Sequence, residues 1–359
     1  DNDGHFRSCE KLDAQDCPWK DDPAFGRRCD FHRFRLIASG DKRNEAGTTG
    51  AFGIGFIAVY QITDRPELIS SGQHWTLHED RPEKERIEVC GGCTSCQSPS
   101  LPGTRFILPW AFDADTTLRR ELRAEAAPGD VHTRMHEELQ HSAPVAMLFL
   151  KRLARVQIKR NGSHTRALET VRESNHLILS DGDPKNDQMW RVLSGDFTPE
   201  ANRLRAKHTT RIEPKRTSKV SLAIPTDQPR PGLLCACLPT EHVTGLPFHV
   251  NADFFPSNDR KRVLLVDDYQ SEWNRAALRA AATAFGESLT TLASELTPQR
   301  LWATIQTIKD VSDAQREGGE PTLTEFWTAL QPKLATEKVI NTSQDQWVAS
   351  KNACYLLQH

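Results

Sequence analysis

The sequence predicts an α+β chain of at least two domains. Three observations predict it. Gly47 to Thr63, GTTGAFGIGFIAVYQIT, reads as a glycine-rich loop that closes over a ligand and then starts a helix. A succession of short β-type segments runs from Glu67 to Phe254, and a long helix with core-face spacing begins at Tyr269. At 359 residues, 26% charged and 37% hydrophobic, the chain can build more than one ordinary soluble core.

Residues 1–39 are polar and irregular, with Cys9, Cys17 and Cys29. The glycine loop and its helix follow, ending near Asp64, where Arg65-Pro66 stops the helix. ELISSGQHWTLHE reads as two strands around Ser71-Gly72, and Arg86–Val89 as a third. An insert, CGGCTSCQSPSLPG, precedes a strand in TRFILPW. Residues 115–141 read as helical with a break at Pro128-Gly129. A second domain is expected from Ala143, with strands at Met147–Leu150, Ala154–Lys159, Leu177–Leu179, Trp190–Leu193, Val220–Ile224, Leu233–Leu238 and Phe248–Phe254. Arg211 to Lys219 reads as a basic loop. The long helix presents Trp273, Ala277, Ala280, Ala281, Phe285, Leu289 and Leu292 on one face. Helices at Gln299–Asp313 and Leu323–Leu334 and a strand at 346–348 complete the reading.

A net charge of −2 gives no electrostatic argument for nucleic acid or a membrane surface. The basic run Lys151–Arg160 reads as a solvated face. No apolar run approaches the ~20 residues of a membrane helix. Nine cysteines in a chain of this size do not resemble a secreted disulfide framework, so a cytoplasmic location is expected.

Three phosphate-loop classes can be compared with the glycine stretch. A Walker loop needs Gly-Lys-Ser/Thr at its end, which is absent. A Rossmann loop needs a strand just before its glycines, where this chain has the charged run GDKRNE. The pattern that fits is G-x-x-G-x-F-G-x-G-F, on Gly47, Gly50, Phe52, Gly53, Gly55 and Phe56.

That run, with GTTGAFGIGFIAVYQITDRPELISSG at 47–72, PGTRFILPW at 102–110, LPTEHVTGLPFHVNADFFPSNDRKRV at 238–263 and, more weakly, QWVASKNACYLL at 346–357, resembles the GHKL superfamily of gyrase, heat-shock chaperone, histidine kinase and MutL ATPases. The closest similarity is to its heat-shock-chaperone-like and sacsin-like branch. The resemblance implies a Bergerat-type α/β sandwich that binds ATP (1–142, with a Cys-rich insert at 90–100), a β-α-β transducer-like domain (143–266) and a helical segment leading into a further region (267–359). It implies that Asp3, before Gly4, is a buried carboxylate accepting from the adenine amino group. Lys42 would contact phosphate. Gly50, Gly53 and Gly55, with the backbone of Ala51, Phe52, Ile54 and Phe56, would cradle the phosphates. Thr104 would reach the adenine region by its hydroxyl. Arg260 or Lys261 would stabilise the γ-phosphate from the second domain.

The family's water-activating Glu and its Mg²⁺-holding Asn lie on a helix before the Asp3 motif. The chain opens at Asp1, so that helix is expected upstream in a longer parent. The terminal His359, soon after YLL, suggests the same of the far end.

Cys90, Cys93 and Cys96 form C-x-x-C-x-x-C, a spacing suited to thiolate ligation of a structural Zn²⁺. The fourth ligand is expected from Cys9, Cys17, Cys29, His32 or His78. Cys9, Cys17, Cys29 and His32 also have the ligand types for a centre of their own. The competing reading is free thiols or small buried apolar residues. Cys235 and Cys237, two apart in an apolar strand, are expected to share a core face. His132 and His136 sit on a surface helix and are not H-E-x-x-H, because residue 140 is Gln.

The functional expectation is ATP binding, with Mg²⁺ and with hydrolysis in the intact parent, driving lid closure and domain docking on a client or partner protein, with a homodimer as one arrangement. The alternatives are an ATP-gated switch in nucleic-acid processing or cellular defence, and a non-hydrolysing scaffold.

Overall fold

The computed structural model describes residues 1–11, 13–22, 28–35, 56–97, 103–265, 268–316 and 322–353. The chain is mixed α+β and divides into two units, Asp1–Arg134 and Met135–His359.

The first unit is built on a four-stranded antiparallel sheet of β1 (Glu67–Ser70), β2 (Gln73–Leu77), β3 (Ile87–Val89) and β4 (Thr104–Ile107), in the order β3-β2-β1-β4. β1 and β2 turn at Ser71 and Gly72, both at positive φ (49° and 74°). A two-residue hairpin loop of that kind matches the twist of its strands, and glycine takes the second position without a steric cost. β4 ends at Ile107, short of the expected Trp110, because Pro109 has no N–H for a ladder. One short helix, α1 (Asp30–Arg35), packs on the sheet. Phe31 lies 4.7 Å from Trp75 between ring centroids, and Leu68, Cys17 and Cys29 complete the buried cluster.

The apolar segment after the glycines is not a helix reaching Asp64. It is a 3₁₀ turn, Phe56–Gln61, closed where Ile62 and Thr63 both donate to the Val59 carbonyl. Arg119, on α2 (Thr117–Leu122), pins the chain just beyond that turn. Its fully buried guanidinium donates to Asp64 Oδ1 at 2.7 Å and to the carbonyls of Gln61 and Glu125. Removing one partner of such a buried pair strands the other charge.

α3 (Val131–Phe149) starts after Pro128-Gly129, as the break predicts. It absorbs Met147–Phe149 of the expected strand Met147–Leu150. Short apolar runs are ambiguous between helix and strand, and here the carbonyls of Met147 and Leu148 are taken by Arg172 at 2.8 and 3.2 Å.

The second unit holds an eight-stranded sheet of β5 (Arg155–Arg160), β6 (Ser163–Glu173), β7 (His176–Ser180), β8 (Gln188–Asp196), β9 (Lys219–Pro225), β10 (Leu233–Ala236), β11 (Leu238–Val243) and β12 (His249–Ala252). The order is β11-β10-β12-β9-β8-β7-β6-β5, antiparallel except for the β10–β12 pair. β6 escapes sequence reading because polar residues dominate it. α4 (Thr198–Lys207) escapes it because its apolar stripe is only Ala201 and Leu204. Cys237 does not share a face with the buried Cys235. It stands at φ 69° in the break between β10 and β11.

α5 (Tyr269–Glu287) opens with a capping box, Asp268 with Ser271, and buries Trp273, Ala277, Ala280, Ala281 and Phe285 as expected. Leu289 and Leu292 are also buried, but on a separate helix, α6 (Leu289–Glu295), because the chain breaks at Ser288. α7 (Pro298–Arg316), α8 (Thr322–Thr336) and a hairpin of β13 (Lys338–Asn341) and β14 (Trp347–Ala349) follow. α5 approaches the sheet at Gly195, where an added Cβ would stand 2.9 Å from Ala284 Cβ and 3.1 Å from the Ala280 carbonyl. Gly195→Val is therefore expected to cost about 1–3 kcal/mol by overpacking, read as a lower urea midpoint at unchanged m-value.

Candidate functional site

Among the described residues of the first unit, two groups of three cysteines and one histidine form. In the first, Cys9, Cys17, Cys29 and His32 bring one ligand atom each, all within 4.8 Å of one another. Their assembly follows from local structure. Cys29 and His32 straddle the first turn of α1, so Cys29 Sγ lies 3.2 Å from His32 Nδ1. Arg7 locks the N-terminal segment to α1: its N and Nε both donate to Asp30 Oδ2 at 2.9 Å, and its carbonyl accepts from Asp30 N. That brings Cys9 Sγ to 3.6 Å from Cys29 Sγ and 3.5 Å from His32 Nδ1. Cys17 joins through the Cys29 N–H, which donates to its sulfur at 3.3 Å. Burial pushes the Cys9 thiol up to about 11. At Cys17 burial acts in the same sense, but the backbone N–H groups of Cys29 and Trp19 outweigh it and lower the thiol's pKa.

The second group is His74, Cys90, Cys93 and Cys96, again within 4.8 Å. The β2–β3 ladder delivers it: Cys90 N donates to the His74 carbonyl at 2.9 Å as the chain leaves β3. The loop then doubles back. Cys93 N donates to Cys96 Sγ at 3.1 Å and Cys96 N to Cys93 Sγ at 3.4 Å, with the sulfurs 3.5 Å apart. Gly92 makes the fold-back at φ 116°. The Cys96 N–H, then the His74 ring, pull the Cys93 thiol down to about 6. The fourth member is His74, whose Nδ1 lies 3.4 Å from Cys93 Sγ.

This corrects the expected fourth ligand. Cys9, Cys17, Cys29 and His32 are engaged with one another, and His78 Nε2 lies 3.0 Å from Glu88 Oε2 instead. His74 escaped notice because it sits inside a strand, away from the cysteine spacing. The available signal was its position on the strand paired with the one that ends just before Cys90.

Both donor sets have the geometry to hold a metal ion. A tetrahedral zinc with bonds of about 2.3 Å to sulfur has sulfur–sulfur edges near 3.8 Å, close to the 3.5 and 3.6 Å seen here. Three sulfurs and one imidazole, without a carboxylate, suit a soft or borderline cation rather than Mg²⁺. The cysteines in both groups are free thiols.

The sequence-predicted nucleotide residues are placed less completely. Lys42, Gly50, Ala51, Phe52, Gly53, Ile54 and Gly55 lie outside the described residues. Phe56 packs its ring on Phe34 and Phe106 at 4.8 and 5.6 Å. Asp3 and Gly4 are brought against Thr104. Asn2 and Thr104 exchange backbone hydrogen bonds of 2.9 Å, and Thr104 Oγ1 donates to the Gly4 carbonyl at 2.6 Å. Gly103 permits this contact: at φ 124° an added Cβ would stand 2.4 Å from the Asn2 carbonyl oxygen. Asp3 itself is exposed, not buried as expected, within the terminal turn that Gly4 N closes by donating to Asn2 Oδ1.

In the second unit Arg260 (φ 59°) and Lys261 occupy the turn after FFPSND. Lys261 Nζ pairs with Glu241 at 2.9 Å, and Arg260 reaches toward the Ala236 carbonyl at 3.5 Å. The preceding Phe255 is held by Asn274, which accepts from its N–H and donates to its carbonyl.

Residues 19–85 match the Sacsin domain family. This supports a sacsin-like relationship for that stretch, which contains the glycine run, Cys29, His32 and His74. No curated protein matches the chain. Among the described residues no helix is long and apolar enough to cross a membrane.

Thr104 is buried, and its hydroxyl also meets Ser70 Oγ at 2.8 Å. Thr104→Val is expected to cost about 1–3 kcal/mol and to free the first residues, read as faster amide exchange at Asn2 and Phe6.

Proposed function

We propose that this chain contains the ATP-binding lid of a sacsin-like GHKL ATPase, on a Bergerat-type α/β sandwich followed by a transducer-like domain. The observation that carries the reading is the Sacsin domain match, which spans the complete glycine pattern Gly47 to Phe56. The contact of Asp3-Gly4 with Thr104, a hundred residues on, supports it. In this reading Gly50, Gly53 and Gly55 let the backbone approach the phosphates of ATP·Mg²⁺. The exposed Asp3 carboxylate accepts from the adenine amino group. Thr104 acts through the turn it holds rather than by direct contact. Arg260 is the stronger candidate for the γ-phosphate, because Lys261 must first leave Glu241. Hydrolysis would need a water-activating Glu and an Mg²⁺-holding Asn, roles this reading assigns to no residue of the chain. ATP-driven closure on a client protein, as a homodimer in the cytoplasm, completes the proposal.

Both four-donor groups are proposed as structural zinc centres. Zinc offsets the cost of gathering three thiols and an imidazole in one place and ties loops to the small sheet.

ATP affinity of Gly53→Val, measured by calorimetry, is expected to fall at least about tenfold, because a branched side chain blocks the backbone's approach. Unchanged affinity would sink the site assignment. Purified chain is expected to hold two zinc ions by mass spectrometry, with Cys29→Ser and Cys96→Ser each removing one. A metal-free, fully folded wild type contradicts the zinc reading.

A further inference from the structure

We propose that Glu67 is a positioning residue for the second centre. Its carboxylate holds the proton on His74 Nε2, so that Nδ1 is the metal-binding nitrogen. The inference rests on the reading of that centre as a zinc site, and it adds the residue that fixes the ligand's orientation.

Glu67 Oε2 lies 2.8 Å from His74 Nε2, on the opposite edge of the ring from Cys93. The backbone register explains the pairing. Ile69 stands opposite His74 and Glu67 opposite Thr76, so Glu67 and His74 are diagonal neighbours on one face of the β1–β2 pair. Their neighbours Leu68 and Trp75 point to the other face and are buried in the core. The sheet therefore fixes both ends of the contact.

A neutral imidazole carries one N–H, and the partner of one nitrogen decides which nitrogen keeps the proton. A carboxylate at Nε2 keeps it there and leaves the Nδ1 lone pair directed at the cysteine loop. The residue just after β2 gives a contrast. His78 also meets a carboxylate, Glu88, yet it is not a member of either donor group. At His74 the carboxylate and the thiols occupy opposite edges of one ring, and that combination makes a ligand with an orienting partner.

The link also has a mechanical consequence. Glu67 follows Pro66 at the start of β1, the central partner of both β2 and β4. Metal bound at His74 would connect the cysteine loop through this carboxylate to the middle of the sheet.

The test uses the full chain as wild type, Glu67→Gln and Glu67→Ala, with Cys93→Ser to mark the centre. Zinc affinity is measured by chelator competition, and the His74 ring is read by ¹⁵N–¹H correlation. Glu67→Ala is expected to weaken zinc at this centre about 10–100-fold and to leave the Cys29 centre loaded. Glu67→Gln, whose amide oxygen still accepts from Nε2–H, is expected to keep most of the affinity. The wild-type spectrum is expected to show a protonated Nε2 and a metal-bound Nδ1. Coordination through Nε2, or wild-type affinity in Glu67→Ala, overturns the proposal. So does Glu67→Ala lowering the melting temperature of the zinc-free chain as much as that of the loaded one, which would mark a merely structural role. A wild type whose zinc content Cys93→Ser does not change overturns both this proposal and the zinc reading beneath it.

Discussion

The first unit depends on gathering sulfur around a very small core. Cys17 and Cys29 are buried beside Phe31, Leu68 and Trp75, and they are also members of a four-donor cluster. The same atoms therefore serve packing and candidate ligation. Four strands of three to five residues and one short helix bury only a limited area, however apolar their inner face. Thiols in such a place are costly as unpaired thiolates and weak as apolar filler. A cation bound by four donors would resolve that conflict. At the second centre the strand ladder, the cysteine loop and the Glu67–His74 contact meet at one strand, β2.

The second unit needs no such device. Its long sheet and the buried face of α5 make a continuous apolar core from Leu193 to Val339. Two polar side chains, Arg216 and Asn274, anchor loops against it. Arg216 donates to the Asp253 and Phe254 carbonyls and lies 3.6 Å over the Phe255 ring. Asn274 clamps Phe255 and the Leu264 carbonyl. These contacts anchor both sides of the turn that carries Arg260 and Lys261.

Much of this was legible in the sequence. The β1–β2 hairpin announced itself through Ser71-Gly72, the stop at Pro128-Gly129 through its breakers, and the core face of α5 through its 3.6-residue spacing. Both cysteine groups were legible as ligand types. The features that stayed hidden did so for physical reasons. Met147–Phe149 is apolar in either a helix or a strand, and it continues α3, whose last carbonyls accept from Arg172. β6 lies on a polar-rich stretch whose pairing is set by its neighbours. His74 carries no local signal, because its relation to Cys90 exists only once β2 and β3 pair. Asp3 was expected to be buried, yet its surroundings depend on contacts with Thr104, far along the chain.

Zinc at the two four-donor groups would hold the first unit's sheet together, whereas the second unit has an apolar core of its own. Amide hydrogen exchange by mass spectrometry, with and without a zinc chelator, tests it most directly. Peptides covering Glu67–Leu77 are expected to lose protection when zinc is removed, while those covering Trp273 to Phe285 in α5 keep theirs. Equal protection of Glu67–Leu77 with and without the chelator would contradict it.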